Sequence, residues 1–332
     1  MRTPSALSLA ASLVALLALG ACAGTPMTGA TLTPTPSIDP SAPVTVDNCG
    51  YPVTFDAAPE RVVTIKSSTT EALLALGLGD RIVGTAFQDG PVPEEWTADA
   101  AGLESIADKV PSEEVVLERE PDLVYAGWES NFSSDGAGER DELEALGVHT
   151  YVSPSACQSA NQPNPLTFDD IFADIEELAA IFRVDASELI SAQRATLSLV
   201  EKAGANGDGR TALWFSSGSD TPYVGAGIGA PQLVLEAVGL TNIAGDLDAT
   251  WAPFNWEAVV DADPDFIVLV DSTWNSADKK IGVLESNPAT ANLTAVQQKK
   301  YLIVPFAASE AGVRTVETVA SLSDQISELD GR

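Results

Sequence analysis

Ser112-Glu113-Glu114-Val115-Val116-Leu117-Glu118-Arg119-Glu120-Pro121-Asp122-Leu123-Val124 and Asn255-Trp256-Glu257-Ala258-Val259-Val260-Asp261-Ala262-Asp263-Pro264-Asp265-Phe266-Ile267 are two copies of one pattern. In each, a residue able to cap a helix (Ser112, Asn255) stands two before a glutamate (Glu114, Glu257), and an apolar pair follows. A proline seven residues after the glutamate ends the helix, because it cannot continue the hydrogen-bond ladder and disfavours helix in the residue before it. Asp122 or Asp265 then leads into an apolar run that reads as a strand. One helix-to-strand unit used once in each of two similar lobes points to a bilobed binding protein. The glutamates are expected at helix starts, away from the strand ends where a ligand would lie.

The chain, 332 residues long, is sufficient for two domains with cores of their own. Lys and Arg number 17 against 48 Asp and Glu, a net charge of −31. Such a surface repels nucleic acid and anionic lipid, so neither is an expected partner. Residues 1–22 read as a targeting segment: Arg2, an apolar stretch over 7–19 too short for a comfortable membrane span, and Leu19-Gly20-Ala21-Cys22. The last four resemble a bacterial lipoprotein lipobox, which implies lipidation of Cys22; the alternative is a plain secretory signal with a chance cysteine. Cys49 and Cys157 are then an even pair in an exported chain, which suggests a disulfide, with two free buried thiols as the alternative.

Residues 23–43, rich in Thr, Pro, Ala and Ser, read as a disordered spacer. A hairpin is expected around Asp47-Asn48-Cys49-Gly50. Strands over 61–66, 82–86, 123–126 and 148–152, alternating with helices over 71–76 and 139–146, imply a first lobe spanning 44–184 with a parallel sheet covered on both faces. After a helix over 167–182, Asp185-Ala186-Ser187-Glu188 reads as a capping box for an interlobe helix over 185–203, about 27 Å long. The second lobe, 204–332, repeats the plan with strands over 211–215, 267–270 and 301–304 and helices over 231–238, 278–284 and 314–329. The expected fold is α/β, two Rossmann-like lobes with parallel sheets joined by one long rigid helix.

Pro59-Glu60-Arg61-Val62-Val63, Leu76-Gly77-Leu78-Gly79-Asp80-Arg81-Ile82-Val83-Gly84, the twin Glu-to-Pro-Asp units, the connecting helix and Ser286-Asn287-Pro288-Ala289 together resemble the class III substrate-binding proteins of ABC importers for ferric siderophores, haem and cobalamin. The resemblance implies a ligand held between the lobes, ABC permease subunits with a cytoplasmic ATPase as partners, and a monomer lipid-anchored on the outer face of the cytoplasmic membrane. It further implies that Glu114 and Glu257 dock onto permease arginines; their alternative role is to offset exposed amides in the first helical turn. More narrowly, Ile65-Lys66-Ser67-Ser68, Thr221-Pro222-Tyr223-Val224-Gly225-Ala226-Gly227-Ile228-Gly229-Ala230-Pro231 and Glu310-Ala311-Gly312-Val313-Arg314 resemble a subset that binds a deazaflavin precursor, coenzyme F-420-0.

In open parallel sheets ligands bind outside the carboxyl ends of the strands. That rule nominates Lys66, Ser67, Ser68, Phe87, Gln88, Trp128 and Glu129 in the first lobe. In the second it nominates Ser216, Ser217, Tyr223, Gly225, Gly227, Trp251, Phe254, Trp274 and Phe306. Aromatic faces in such loops suit a planar ring system or catecholate rings. Lys66, with Arg314 and Lys109 behind it, suggests an anionic ligand group; an ion pair to Glu71 is the alternative for Lys66. Gly225-Ala226-Gly227-Ile228-Gly229-Ala230 formally matches a dinucleotide fingerprint, but Ser216 to Thr221 separates it from its strand. An enzyme is the rival class, and a lipid-anchored sensory protein a further one. The lone His149 sits in an apolar strand pattern, with no Gly-x-Ser-x-Gly elbow or metal-ligand spacing, and neither a metal nor a cofactor is expected.

Overall fold

The computed structural model describes residues 42–158, 161 and 165–331; the targeting segment, Cys22 and nearly all of the spacer lie outside them. The described chain opens with an antiparallel hairpin, β1 (Val44–Asn48) and β2 (Tyr51–Phe55). Its turn residue Cys49 is disulfide-bonded to Cys157, with a Cα–Cα distance of 5.1 Å. Arg140 donates from Nη1 and Nη2 to the Asn48 carbonyl and side-chain oxygens, each at 2.9 Å. Hairpin and lobe are thereby stapled by a covalent bond and a guanidinium fork.

The first lobe runs β3 (Val62–Ile65), α1 (Ser67–Ala75), β4 (Ile82–Ala86), β5 (Ser105–Ala107), α2 (Glu113–Leu117), β6 (Leu123–Ala126), α3 (Arg140–Ala145) and β7 (His149–Val152). Its sheet has the order β5-β4-β3-β6-β7, parallel throughout. Two helices follow, α4 (Phe168–Phe182) and α5 (Ser187–Ala203). The second lobe comprises β8 (Thr211–Ser217), β9 (Tyr223–Gly225), α6 (Ala230–Ala237), β10 (Thr241–Asn242), β11 (Trp251–Pro253), α7 (Trp256–Ala262), β12 (Phe266–Asp271), α8 (Ala277–Ser286), α9 (Thr294–Gln297), β13 (Tyr301–Pro305), α10 (Phe306–Ser309) and α11 (Thr315–Leu329). Its order is β11-β9-β8-β12-β13, with β10 beside the start of β8.

Successive side chains of a strand point to opposite faces. Val62, Leu123 and Tyr125 therefore enter one core while Val63, Ile65, Val124 and Ala126 enter another. In the second lobe Ala212, Trp214, Phe266 and Val268 face one way and Leu213, Phe215, Ile267 and Leu269 the other. Both sheets are thus covered on both faces, which is why their strands read as continuous apolar runs.

The repeated unit has a structural reason for its second half. Asp122 accepts from the backbone N–H groups of Glu60 and Arg61 at 2.7 and 2.9 Å, and Asp265 accepts from the N–H of Thr211 at 2.8 Å. In both lobes the aspartate after the proline ties the incoming strand to the start of the lobe's first strand. The first halves differ: α2 stops at Leu117, whereas α7 runs to Ala262. A helix joining parallel strands runs antiparallel to them, so α2 and α7 begin at the carboxyl edges of their sheets. The exposed Glu114 and Glu257 therefore stand at the edge where ligands bind, which corrects the expected separation.

Other differences are local. Of the segment from Tyr223 to Gly229, expected to be a loop, the first three residues form β9, antiparallel to β8, and β11 pairs antiparallel with it, so the second sheet is mixed. Ser67 to Thr70 lie inside α1 rather than before it. Asp185 accepts from Ser187 N–H at 2.8 Å, but the cap of α5 is Ala186 and no reciprocal box forms. The connection between lobes also involves more than one helix. Ile190 of α5 enters the first-lobe core and Val200 packs on the second. Alongside, Val316 of α11 enters the first and Val319, Leu322 and Ile326 the second.

Replacing Cys49 and Cys157 together by serine should lower the unfolding free energy by about 2–5 kcal/mol. Denaturant titration checks this, and an unchanged midpoint would show that Arg140 alone holds the hairpin.

Candidate functional site

Between the lobes lies a cleft of about 660 Å³, within the roughly 300–1,000 Å³ of small-molecule sites. The first lobe contributes Ser68, Gly127, Trp128 and Ser130 from the ends of β3 and β6, with Ser153, Ser155, Ala156 and Gln158 after β7. The second contributes Ser216, Ser217, Tyr223, Ile228, Thr250, Trp251, Trp274, Phe306, Ser309 and Glu310. Rings and hydroxyls therefore dominate the wall. Tyr223 and Trp274 are 41% and 44% exposed at its rim.

The floor is organised by a side chain that does not reach the cleft. Lys66 is fully buried at the start of α1, with φ 88°, a backbone region that non-glycine residues seldom occupy. Its ammonium pairs with buried Asp89 and lies 4.2 Å from the ring centres of Phe87 and Trp128 and 4.3 Å from that of Phe306. Gly127 makes room: a Cβ there would stand 2.9 Å from Lys66 Cβ and Cγ. Asp89 also accepts from Trp274 Nε1 at 3.3 Å, and its carbonyl accepts from Thr273 N–H at 2.9 Å, so the pair ties the lobes together.

Glu310, at the end of α10, bridges back across the cleft. Its Oε2 accepts from Ser68 Oγ at 2.9 Å and its Oε1 from Trp128 Nε1, both in the first lobe. Burial pushes its carboxyl up to about 7, opposed by Lys66 and aided by Asp89. Behind α1 a further interlobe contact joins buried Glu71 to Arg314 at 3.5 Å. Burial raises Glu71 to about 7 as well, against the lowering effect of Arg314.

Of the nominated residues, Ser68, Trp128, Ser216, Ser217, Tyr223, Trp251, Trp274 and Phe306 meet on the cleft wall. The rest are placed elsewhere. Lys66 is corrected to an internal ion pair, with Asp89 as its partner rather than Glu71. Arg314 is corrected likewise, engaged by Glu71 and by Glu317 at 3.0 Å. Lys109 is exposed. Ser67 Oγ accepts from Asp89 N–H, Phe87 packs edge-on against Trp128, and Glu129 accepts from Gln158 N–H. Gln88 lies in a separate recess with Thr273, and Phe254 packs on the second-lobe core. Gly225 and Gly227 are required by protein packing: an added Cβ would stand 2.3 Å from Pro231 Cβ and 2.0 Å from the Gly245 carbonyl, respectively. His149 lies 3.1 Å from Glu144 Oε2 and edge-on to Phe55. Glu310 and Asp89 carry no distinguishing signal in the sequence, because among 48 Asp and Glu a single carboxylate does not stand out.

Two α/β lobes enclosing a cleft of rings and hydroxyls define a ligand-binding protein of the bilobed type. A family model described as periplasmic binding protein matches residues 62–308, and the chain belongs to that family. It is 26% identical to an uncharacterized ABC transporter substrate-binding lipoprotein of Bacillus subtilis, over 86% of this chain and 85% of that one. It is 27% identical to a vitamin B12-binding protein of Yersinia pestis over 67% and 72%. Among solved structures, an ABC-type Fe3+-hydroxamate transport system protein of Saccharomonospora viridis superposes with a TM-score of 0.72 and 28% identity, covering 87% of this chain and 99% of that one. Among the described residues no helix is long and apolar enough to cross a membrane.

Glu310 and Glu71 hold their protons more tightly folded than unfolded, so their contribution to stability is complete below 4.5 and is lost as pH rises towards about 7. Unfolding by denaturant across that window should show stability falling with pH, and Glu310→Gln should remove part of the fall. A profile unchanged by the substitution would contradict the assignment.

Proposed function

We propose that the chain is the solute-binding component of an ABC importer, capturing a sizeable ligand between its lobes and passing it to the permease without chemistry of its own. The cleft carries this reading: it lies at the carboxyl edges of both sheets, has the volume of a small-molecule site and presents three indoles, a phenol and seven serines rather than a nucleophile with its base. The relatives named for vitamin B12 and Fe3+-hydroxamate transport support a metal-chelate or macrocyclic ligand. Haem and the coenzyme F-420-0 precursor meet the same need for an aromatic wall. Lipidation of Cys22, tethering the body to the outer face of the cytoplasmic membrane, fits the lipoprotein relative. The absorption spectrum and mass of whatever copurifies separate the candidates, since iron-hydroxamate, corrin, haem and deazaflavin chromophores differ. A protein that copurifies with none of them and binds none below millimolar would reject the reading.

Glu114 and Glu257 are the proposed permease contacts. Both are exposed, both occupy a first helical turn, and both stand at the edge where the cleft opens, so one docking event would cover the cleft mouth. Reversing both charges, Glu114→Lys with Glu257→Lys, should abolish uptake while leaving ligand affinity in the isolated protein unchanged. Retained uptake, or a parallel loss of affinity, would remove them from that role.

A further inference from the structure

We infer that Glu310 makes the cleft select neutral or cationic ligands that present hydrogen-bond donors, and reject anionic ones. The inference rests on the binding-protein reading and deepens it. Glu310 is the charged side chain on the cleft wall; among the described residues no lysine or arginine joins it there. A carboxylate offers about four lone-pair positions. Ser68 Oγ and Trp128 Nε1 take two, which fixes the carboxylate against the first lobe and leaves acceptor capacity towards the cleft.

The neighbouring cation does not reverse this preference. Lys66 lies beneath Trp128 and Phe306, its charge matched by Asp89, so once Glu310 has ionised, at pH above about 7, its carboxylate is left in excess. Arg314 is spent on Glu71 and Glu317. A net charge of −31 over the whole chain gives the approaching ligand a field of the same sign. An anion entering the cleft would meet repulsion with only uncharged donors as compensation: the hydroxyls of the serines, Thr250 and Tyr223, the Gln158 amide and the Trp251 indole N–H. A ligand bearing an ammonium, amide or hydroxyl donor finds an acceptor already held in place. On this ground a neutral or cationic chelate outranks the anionic deazaflavin precursor.

Ionic quenching of tryptophan fluorescence tests the charge of the cleft without knowledge of the ligand. In the full chain carrying Trp96→Phe, Trp214 and Trp256 are buried, so the accessible indoles are Trp128, Trp251 and Trp274 of the cleft. At pH 8.5 and fixed ionic strength, caesium should quench more effectively than iodide. Glu310→Gln should narrow that ratio by roughly twofold or more at short range and moderate screening. Asp324→Asn on the outer surface serves as control and should leave it unchanged. The unsubstituted carboxyl supplies a second arm that needs no folded variant: lowering the pH to 5.5 should narrow the ratio, with Lys66 and Asp89 as the facing charges. Iodide quenching equal to caesium, or a ratio indifferent to both Glu310→Gln and pH, overturns the inference, as does a copurified ligand of net negative charge. Absence of any ligand or permease contact would sink the transport reading while leaving the quenching result intact, so the two failures are distinguishable.

Discussion

Lys66 ends the first strand of the first lobe with no solvent contact, and an ammonium so placed loses several kcal/mol of hydration that the protein must replace. Asp89 supplies the opposite charge, and the faces of Phe87, Trp128 and Phe306 supply cation–π attraction of about 0.5–2 kcal/mol each. Because Phe306 belongs to the second lobe and Asp89 is held by Thr273 and Trp274 of that lobe, neutralising one buried charge fixes the relation of two domains. Trp128 and Phe306 also form the floor of the cleft. Binding surface and interlobe contact are thus one set of side chains, and a ligand resting on Trp128 and Phe306 rests on groups already immobilised from below.

Helical packing supports that arrangement from the side away from the cleft. The chain crosses between lobes once, through α4 and α5, but α11 lies along α5 and also enters both cores. Two helices that share apolar contacts with both lobes resist bending more than one exposed rod. The Glu71–Arg314 contact sits at the head of α11 and adds a charge-matched contact between the lobes.

Much of this was legible in the sequence, for identifiable reasons. Leu123 to Ala126 and Phe266 to Val270 are buried on both faces, so their apolar runs declared both the strands and a covered sheet. The Pro-Asp pairs declared the strand entries, and the hidden cause was the pairing of Asp122 and Asp265 with backbone amides. What failed was short or conditional. β5, β9 and β11 are three residues each, too brief to show a period of two. In the sequence Lys66 signals an anionic ligand as a cation at a strand end beside capping hydroxyls in a very acidic chain; in the fold it is buried against Asp89, which no sequence pattern links to it. The wall residues Trp128, Trp251, Trp274 and Phe306 were found because the carboxyl-edge rule depends on topology alone.

That rule also brings the two halves of the repeated unit to one purpose. A helix that returns between parallel strands must start at the carboxyl edge and deliver its strand to the opposite edge. The capped, glutamate-bearing start of α2 or α7 consequently projects beside the cleft mouth, while Asp122 or Asp265 at the far end locks the register of the strand that follows. A surface carboxylate carried on such a unit cannot drift relative to the cleft, because the same unit's other end is hydrogen-bonded to the first strand of the sheet. Two copies, one per lobe, therefore hold two charges at a separation set by the relation of the lobes. The Lys66–Asp89 pair at the floor of the cleft helps to fix that relation.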